Sequence, residues 1–365
     1  MRPYFGLRSY TDNGEHYERQ IGSEAMPGEY TAALLDCTRE WMRVLKPVGS
    51  IFVILGDRYA ARPGAGPNAA AGGRNVSPAP KTAVAPKSLY GTPWRYALGC
   101  VEDLGLILRA EVIWSKPNGL PESVTDRVRR SHEQIFHFTK SGRYFAAVDG
   151  IREPHQPQSI ARTRRNRFAP DLSQTGVGSP NTLNPADACN PLGRLPGSVW
   201  EIPSAPLRVP EHIGVKHFAA YPPEIVRRII LGWAPSAVCT RCGEGRRPLA
   251  TPTGEVGRRP GGRTRVGKRT YANLSKAALR PRVITGYACA CPDASAPTRP
   301  AVVLDPFGGT GTTALVADVL GRTGITVDRS ADYCRLAAWR TRDPRERARV
   351  LALQGNPAAS SGAAA

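Results

Sequence analysis

One stretch near the end of the chain limits the folds open to it more than any other. Asp305-Pro-Phe-Gly-Gly-Thr-Gly-Thr-Thr313 lies between an apolar run of strand length, Ala301-Val-Val-Leu304, and a segment with helical patterning, Ala314 to Leu320. Glycines at such a junction let the backbone turn tightly and approach a ligand, and the helix N-terminus beyond favours negative charge. A second short run, Gly324-Ile-Thr-Val327, ends at Asp328, where a carboxylate can accept hydrogen bonds from both hydroxyls of a ribose. Strand, turn, helix and strand in this order predict an α/β fold.

Two ligands fit this turn. Gly309-Thr-Gly311-Thr-Thr-Ala314 matches G-x-G-x-x-A, the pattern of a nicotinamide dinucleotide site, although a lone match is a weak signal. Fewer than forty residues follow Asp328, too few to complete a dinucleotide-binding domain downstream. Asp305 also stands at the strand end, where it would repel a pyrophosphate and attract the ammonium of a zwitterionic amino acid. An ordinary strand–turn–helix with no ligand is the third reading.

The remaining chain supplies further elements. Apolar groups recur at helical spacing from Glu29 to Leu45, and Lys46-Pro47 and Gly49 stop that helix. Ser50-Ile-Phe-Val-Ile-Leu55 is a continuous apolar run, as in a buried strand, with Gly56-Asp57 at its end. Residues 61–87 are rich in Pro, Gly and Ala and predict a long loop. A helix is expected from Trp94 to Leu104, strands at Ala110–Trp114 and Glu133–Thr139, and a helix from Tyr221 to Gly232.

The chain of 365 residues carries 50 Lys+Arg against 30 Asp+Glu, a net +20, which points to a polyanion such as nucleic acid. Residues 240–282 hold twelve Lys/Arg and two acids, half of that net charge. No apolar run approaches the roughly 18 residues of a membrane span, and Met1 to Tyr10 lacks the apolar core of a secretory signal. The expectation is a cytoplasmic, DNA-associated protein without a membrane partner; the oligomeric state stays open.

The residues of the glycine turn resemble the S-adenosylmethionine motif of DNA methyltransferases that act on amino groups, the N4-cytosine and N6-adenine enzymes of bacteria and phages. The motif's place near the C-terminus is the permuted order of the β class, with the catalytic motif first, target recognition next and cofactor binding last. Pro3-Tyr-Phe-Gly-Leu-Arg-Ser-Tyr10 resembles the segment around that family's Ser-Pro-Pro-Tyr motif. Leu45-Lys-Pro-Val-Gly49 with Leu55-Gly-Asp57 resembles the strand after it. Ile113-Trp-Ser-Lys-Pro-Asn118, Pro121-Glu-Ser123, Asp126-Arg127 and Ser131-His-Glu133 look like segments that recur in the family in this order. His217-Phe-Ala-Ala-Tyr-Pro222 resembles the helix start that closes over the cofactor.

The resemblance implies a circularly permuted, Rossmann-like methyltransferase fold with an inserted basic region. It implies methyl transfer from S-adenosylmethionine to the exocyclic amine of cytosine or adenine in double-stranded DNA, with the base flipped out of the helix. Asp305, Pro306, Phe307, Gly308, Gly309, Gly311, Thr312, Thr313 and Asp328 would hold the cofactor, with His217 and Phe218 closing over it. Pro3 and Tyr4 would hold the base. In the family, the first residue of Ser-Pro-Pro-Tyr and a backbone carbonyl accept the amine hydrogens, and the aromatic ring stacks on the base. Here Met1 aligns with the serine and Arg2 with the first proline, and the strand expected before the motif is not in the sequence. The expectation is therefore a family member whose turnover is in question, with a zinc-stapled, inactive DNA-binding protein as the alternative. A serine-type motif leans toward cytosine N4.

Eight cysteines are too few for a disulfide scaffold of this length. Cys239-Thr-Arg-Cys242 and Cys289-Ala-Cys291 flank the basic stretch, and four thiolates in two close pairs suit a tetrahedral structural zinc. Free thiols that only pack are the plainer reading. Arg162, Arg164, Arg165 and Arg167 form one candidate phosphate-binding cluster, and Arg258, Arg259, Arg263, Arg265, Lys268 and Arg269 another. A solvated loop is the alternative for both. The expected organisation is a catalytic half (1–150), a variable recognition segment (151–215), a cofactor-closing helix (216–238), a basic Cys-paired insert (239–292), the cofactor half (300–345) and a tail (346–365).

Overall fold

The computed structural model describes residues 4–6, 11–12, 15–16, 19–60, 84–159, 190–215, 220–252, 282–289, 291 and 295–355. In chain order the elements are β1 (Thr11–Asp12), β2 (Glu15–His16), α1 (Pro27–Val44), β3 (Ser50–Leu55), α2 (Thr92–Glu102), β4 (Ile107–Ser115), β5 (His132–Thr139), β6 (Val199–Glu201), α3 (Pro223–Trp233), β7 (Val238–Cys239), β8 (Arg247–Pro252), β9 (Arg282–Ala288), β10 (Thr298–Arg299), β11 (Val302–Asp305), α4 (Thr312–Val319), β12 (Thr323–Thr326), α5 (Ala331–Arg342) and α6 (Pro344–Gly355). They fall into two compact units. The first comprises Met1–Ala146, Gly197–Val238 and Arg299–Ala365; the second comprises Ala147–Pro196 and Cys239–Thr298.

The first unit is an α/β structure. Its four-stranded sheet runs β3-β5-β4-β6, with β5 antiparallel to both neighbours and β6 parallel to β4. From Glu133 to Thr139 the central strand β5 is buried at every position, and its side chains are mostly apolar or internally bonded, with Gln134 Oε1 buried without a partner among the described residues. Helix α1 begins at Pro27, whose missing N–H would be unpaired there in any case, and Glu29 accepts from the Met26 N–H at 3.1 Å. Tyr30, Leu34, Leu35 and Thr38 form its buried stripe. Tyr30, Leu34 and Leu35 join Phe5, Ile51, Leu55, Tyr96, Cys100 and Phe138 in the largest core cluster, and Phe307 packs at its border.

The glycine turn lies in a second, parallel pair of strands. Val302 to Asp305 of β11 pair with Thr323 to Thr326 of β12, and α4 makes the crossover that parallel strands require. Leu315, Val316 and Ala317 of α4 are fully buried against Val226 and Ile230 of α3 and Val350 of α6. Each large aliphatic side chain in that layer contributes about 1.5–3 kcal/mol by leaving water.

Three stretches differ from the sequence-based expectation. Residues 346–355, expected in a tail, belong to helix α6, which buries Val350 and places Glu346 against Arg340. β6 emerges from the variable segment. The polar insert contains an antiparallel hairpin, β8–β9, whose register runs from Arg247↔Ala288 to Pro252↔Arg282. Val283, Ile284 and Tyr287 supply β-branched and aromatic character there, but Leu249, Val283, Ile284 and Tyr287 are all exposed. Among the described residues, none of the four apolar clusters draws a member from the second unit. No helix among them is long and apolar enough to cross a membrane.

Candidate cofactor turn, tyrosine site and cysteine centre

The glycine turn is built around two carboxylates. Asp305 ends β11 half-buried, and its Oδ2 accepts from Thr313 Oγ1 at 2.6 Å and from the Tyr221 hydroxyl at 2.8 Å. Its Oδ1 accepts from the Phe307 N–H at 3.1 Å. Burial pushes the Asp305 pKa up, the positive charge of the chain N-terminus and then the Thr313, Tyr221 and Phe307 donors pull it down, and the net direction is down. The group is an anion with acceptor capacity left for one further donor. Asp328 follows β12; its Oδ2 accepts from the Gly309 N–H at 2.8 Å and its Oδ1 from the Ser330 N–H at 3.0 Å. Asp328 therefore braces the turn and keeps lone pairs for hydroxyl donors.

The glycines are needed by the protein itself. A Cβ on Gly308 would come within 1.6 Å of Thr326 Oγ1. Gly311, at φ +73°, caps α4 with its carbonyl accepting from Leu315 N–H, and a Cβ there would meet Ala337 at 2.7 Å. Pro306 and Phe307 carry the chain from β11 into the turn, and the Phe307 ring packs edge-on against Trp41 of α1 at 5.7 Å.

Sequence reasoning missed the support behind this turn. Arg340 of α5 is 3% exposed and donates to Thr312 Oγ1 at 2.6 Å and Thr310 Oγ1 at 3.1 Å. Its Nε meets Glu346 of α6 at 2.8 Å. Tyr221 was legible only as part of His217-Phe-Ala-Ala-Tyr-Pro222, without its bond to Asp305. His217 and Phe218 lie outside the described residues.

Tyr4 lies at the far end of the chain, beside the C-terminal end of β3. Its hydroxyl donates to Glu133 Oε2 at 2.9 Å, and Glu133 is ion-paired with Lys116. The Lys116 ammonium sits 4.3 Å from the Trp114 ring centroid. Gly56 makes room, since a Cβ there would lie 3.0 Å from Tyr4 Cε1. Next to Tyr4, Phe5 is buried between Tyr30 and Tyr90, with ring centroids at 5.4 and 5.1 Å. Asp57 is taken up as a cap for α2, accepting from the Gly91 and Thr92 N–H groups and the Thr92 hydroxyl. Pro3 lies outside the described residues, as do the clusters Arg162–Arg167 and Arg258–Arg269.

In the second unit, the Sγ atoms of Cys239, Cys242 and Cys289 lie within 4.8 Å of one another. The first two sit on a tight turn: Gly243, at φ +73°, donates its N–H to Cys239 O at 3.0 Å. The backbone N–H groups of Arg241 and Cys242 bond Cys239 Sγ, and that of Glu244 bonds Cys242 Sγ. Cys289 directly follows β9. Cys291, expected as a fourth ligand, is not part of this group.

Comparison with known proteins supplies the family. The family model described as DNA methylase, for the N6 and N4 enzymes, matches residues 1–236 and 295–338. The stretch it leaves out holds the cysteine centre and the β8–β9 hairpin. The type II methyltransferase M.SmaI of Serratia marcescens is 28% identical over 92% of this chain and 80% of its own length. M.XycI of Xanthomonas campestris pv. cyanopsidis is 33% identical over 62% of each chain, so this chain spans less than two thirds of that relative. Among solved structures, the cytosine-N4-specific PvuII DNA methyltransferase aligns over 93% of this chain and 80% of its own, at 14% identity and a TM-score of 0.49. With more than half of its residues inside the family model, the chain belongs to the DNA methylase family of N6 and N4 methyltransferases.

Proposed function

We propose that this protein transfers the methyl group of S-adenosylmethionine to an exocyclic amine of a base flipped out of double-stranded DNA, with cytosine N4 favoured over adenine N6. The observation that carries the reading is the presence, in one α/β unit, of the Asp305 turn and of Tyr4 locked by Glu133.

The donor set fits the cofactor. Asp305 stays anionic and retains an acceptor site for an ammonium, and Asp328 retains lone pairs for ribose hydroxyls. When bound, S-adenosylmethionine supplies an electrophilic methyl group on its sulfonium. An exocyclic amine is a weak nucleophile because its lone pair is delocalised into the ring, so acceptors for its hydrogens must return electron density to nitrogen. Tyr4 offers the aromatic face for the flipped base, and its tether to Glu133 fixes that face before the base arrives. The backbone carbonyl of the Pro3–Tyr4 segment accepts one amine hydrogen. Met1, in place of the family's serine, brings only a weak acceptor. DNA binding without turnover is the second reading, and it rests on that methionine.

A structural zinc ion belongs to the proposal. A tetrahedral zinc with sulfur ligands at about 2.3 Å sets its sulfurs roughly 3.8 Å apart, which the Cys239, Cys242 and Cys289 cluster accommodates. Backbone N–H donors hold the Cys239 pKa down to about 7. At Cys242 the Glu244 N–H pulls the same way, but burial and the neighbouring Cys239 and Cys289 outweigh it and push the pKa up to about 11. A bound ion would favour thiolates at both, and Cys291 would be the fourth ligand.

Tritiated methyl transfer to unmethylated plasmid DNA tests the enzyme reading, with nucleoside mass spectrometry to separate N4-methylcytosine from N6-methyladenine. A protein that binds S-adenosylmethionine and DNA yet leaves both bases unlabelled would establish the second reading instead. Elemental analysis is expected to find one zinc per chain.

A further inference from the structure

The reading above leaves unused a loop that begins and ends at the tyrosine site. Residues 116–131 connect β4 to β5, and their neck is closed by the Lys116 N–H donating to Ser131 O at 2.7 Å. Lys116 is also the partner of Glu133, which holds Tyr4. The loop thus springs from the place where the proposed base would be held.

Its apolar side chains point the wrong way for packing. Leu120 is 85% exposed and Val128 84%, while no other large apolar side chain among the described residues exceeds 57%. Single exposed apolar groups are ordinary. These two are brought together by design of the loop: Arg129 Nη1 donates to Gly119 O at 2.5 Å and Leu120 O at 3.2 Å, tying one tip to the residue beside the other.

The loop is also stiff and basic. Arg127 bonds Glu122 Oε2 at 2.7 Å and Val128 O at 3.0 Å, with its guanidinium 3.8 Å from the Tyr59 ring centroid. Asn118 and Ser204 exchange two hydrogen bonds, at 2.9 and 2.8 Å. Both acids are neutralised locally, Glu122 by Arg127 and Asp126 by Lys87. Arg129, which is exposed, therefore carries charge with no carboxylate partner among the described residues, whereas Arg130 is half-buried with its Nη2 out of solvent. A rigid projection with two apolar tips and an adjacent cation matches one occupant: an opened base step flanked by phosphates.

We propose that loop 116–131 is a wedge for double-stranded DNA, with Leu120 and Val128 entering the base stack where the target nucleotide leaves it and Arg129 serving a flanking phosphate. This rests on the reading of Tyr4 as the platform for the flipped base. Filling the vacated space lowers the cost of keeping the base out, so the wedge matters for paired DNA and not for single strands.

Two experiments test it. The double variant Leu120→Ala/Val128→Ala should keep wild-type folding and S-adenosylmethionine binding. It should lose roughly tenfold or more of methyl transfer to duplex plasmid while its rate on heat-denatured plasmid stays within about twofold of wild type. A wild-type duplex rate in that variant overturns the wedge. In the second, Leu120→Trp should show its added indole emission quenched, and shielded from iodide, by duplex DNA and not by heparin. Equal responses to both polyanions, or a response to protein concentration alone, overturn it and assign the tips to general polyanion binding or to a second copy. The fluorescence needs no turnover, so an inactive wild-type protein would fail the methyl-transfer reading alone.

Discussion

The two compact units are held together by opposite means. In the first, the glycine turn is backed by apolar clusters that include Leu315, Val316 and Leu336, by Phe307 against Trp41, and by one buried ion pair, Arg340 with Glu346. In the second, no apolar cluster forms among the described residues, and the hairpin leaves its larger side chains in water. What the second unit has is three thiols converging at the base of that hairpin. The family model covers most of the first unit and the 147–196 part of the second, and skips the stretch that holds the thiols and the hairpin. The proposed zinc would give this segment, outside the shared fold and too polar to bury a core, a local staple.

The sharpest way to break the contrast is to remove the staple. Chelation, or Cys239→Ser with Cys289→Ser, should unfold the second unit and leave the first intact. Structural zinc sites of this kind contribute on the order of 10 kcal/mol to the folding of their segments. Limited proteolysis should then cut within 239–298 while S-adenosylmethionine binding persists. Cleavage unchanged by chelation would mean that the hairpin stands without metal.

The next effect lies inside the first unit. Arg340 and Glu346 form a buried ion pair, 3% and 5% exposed, and Arg340 also holds Thr310 and Thr312. Arg340→Met should cost about 3 kcal/mol, the low end for an orphaned buried partner, because Arg349 still pairs with Glu346. Thermal unfolding should show the loss, and cofactor affinity should fall with it. A variant as stable as wild type would show that apolar packing alone carries the turn.

How legible each region is follows from how far apart its partners lie in sequence. Asp305, the glycines and Asp328 stand within one strand–turn–helix–strand, so their spacing could be read directly. The α/β order, the strand at Ser50–Leu55 and the helices α1 and α3 were legible for the same reason, since local periodicity marks them. The Tyr4–Glu133 bond joins residues 129 apart, and Arg340 reaches Thr310 across 30. No local pattern encodes such pairs. Residues 346–355 of helix α6 fall in the stretch expected as tail, and the pairing of Glu346 with Arg340, 6 residues away in another helix, shows why it packs. The β8–β9 hairpin was hidden because its two strands are separated by a long basic stretch of another composition.

A smaller effect separates ligand need from packing need at Gly308. Gly308→Ala drives a methyl group into Thr326 Oγ1, and overpacking of that kind costs about 1–3 kcal/mol. Thr326→Ala in the same chain should restore part of the stability, since it removes Oγ1 while Thr326 Cβ at 2.9 Å and Val327 O at 3.2 Å remain. Cofactor affinity should recover along with it if the turn serves the ligand only through its shape. Recovery of stability without recovery of binding would show that the ligand itself requires the bare backbone at Gly308.

The smallest change falls at Tyr4, where the first unit meets its proposed substrate. Tyr4→Phe keeps the ring and deletes one hydrogen bond to a carboxylate, worth about 1–2 kcal/mol. Glu133 keeps its ion pair with Lys116, so the fold should barely change. Methyl transfer should fall roughly five- to thirtyfold, with cofactor binding unaltered, because a ring free to tilt no longer presents its face in advance. Glu133→Gln retains an acceptor for the hydroxyl and should lose less than Tyr4→Phe. If instead it loses more, the ion pair with Lys116, and not the tether to Tyr4, is what the site draws on.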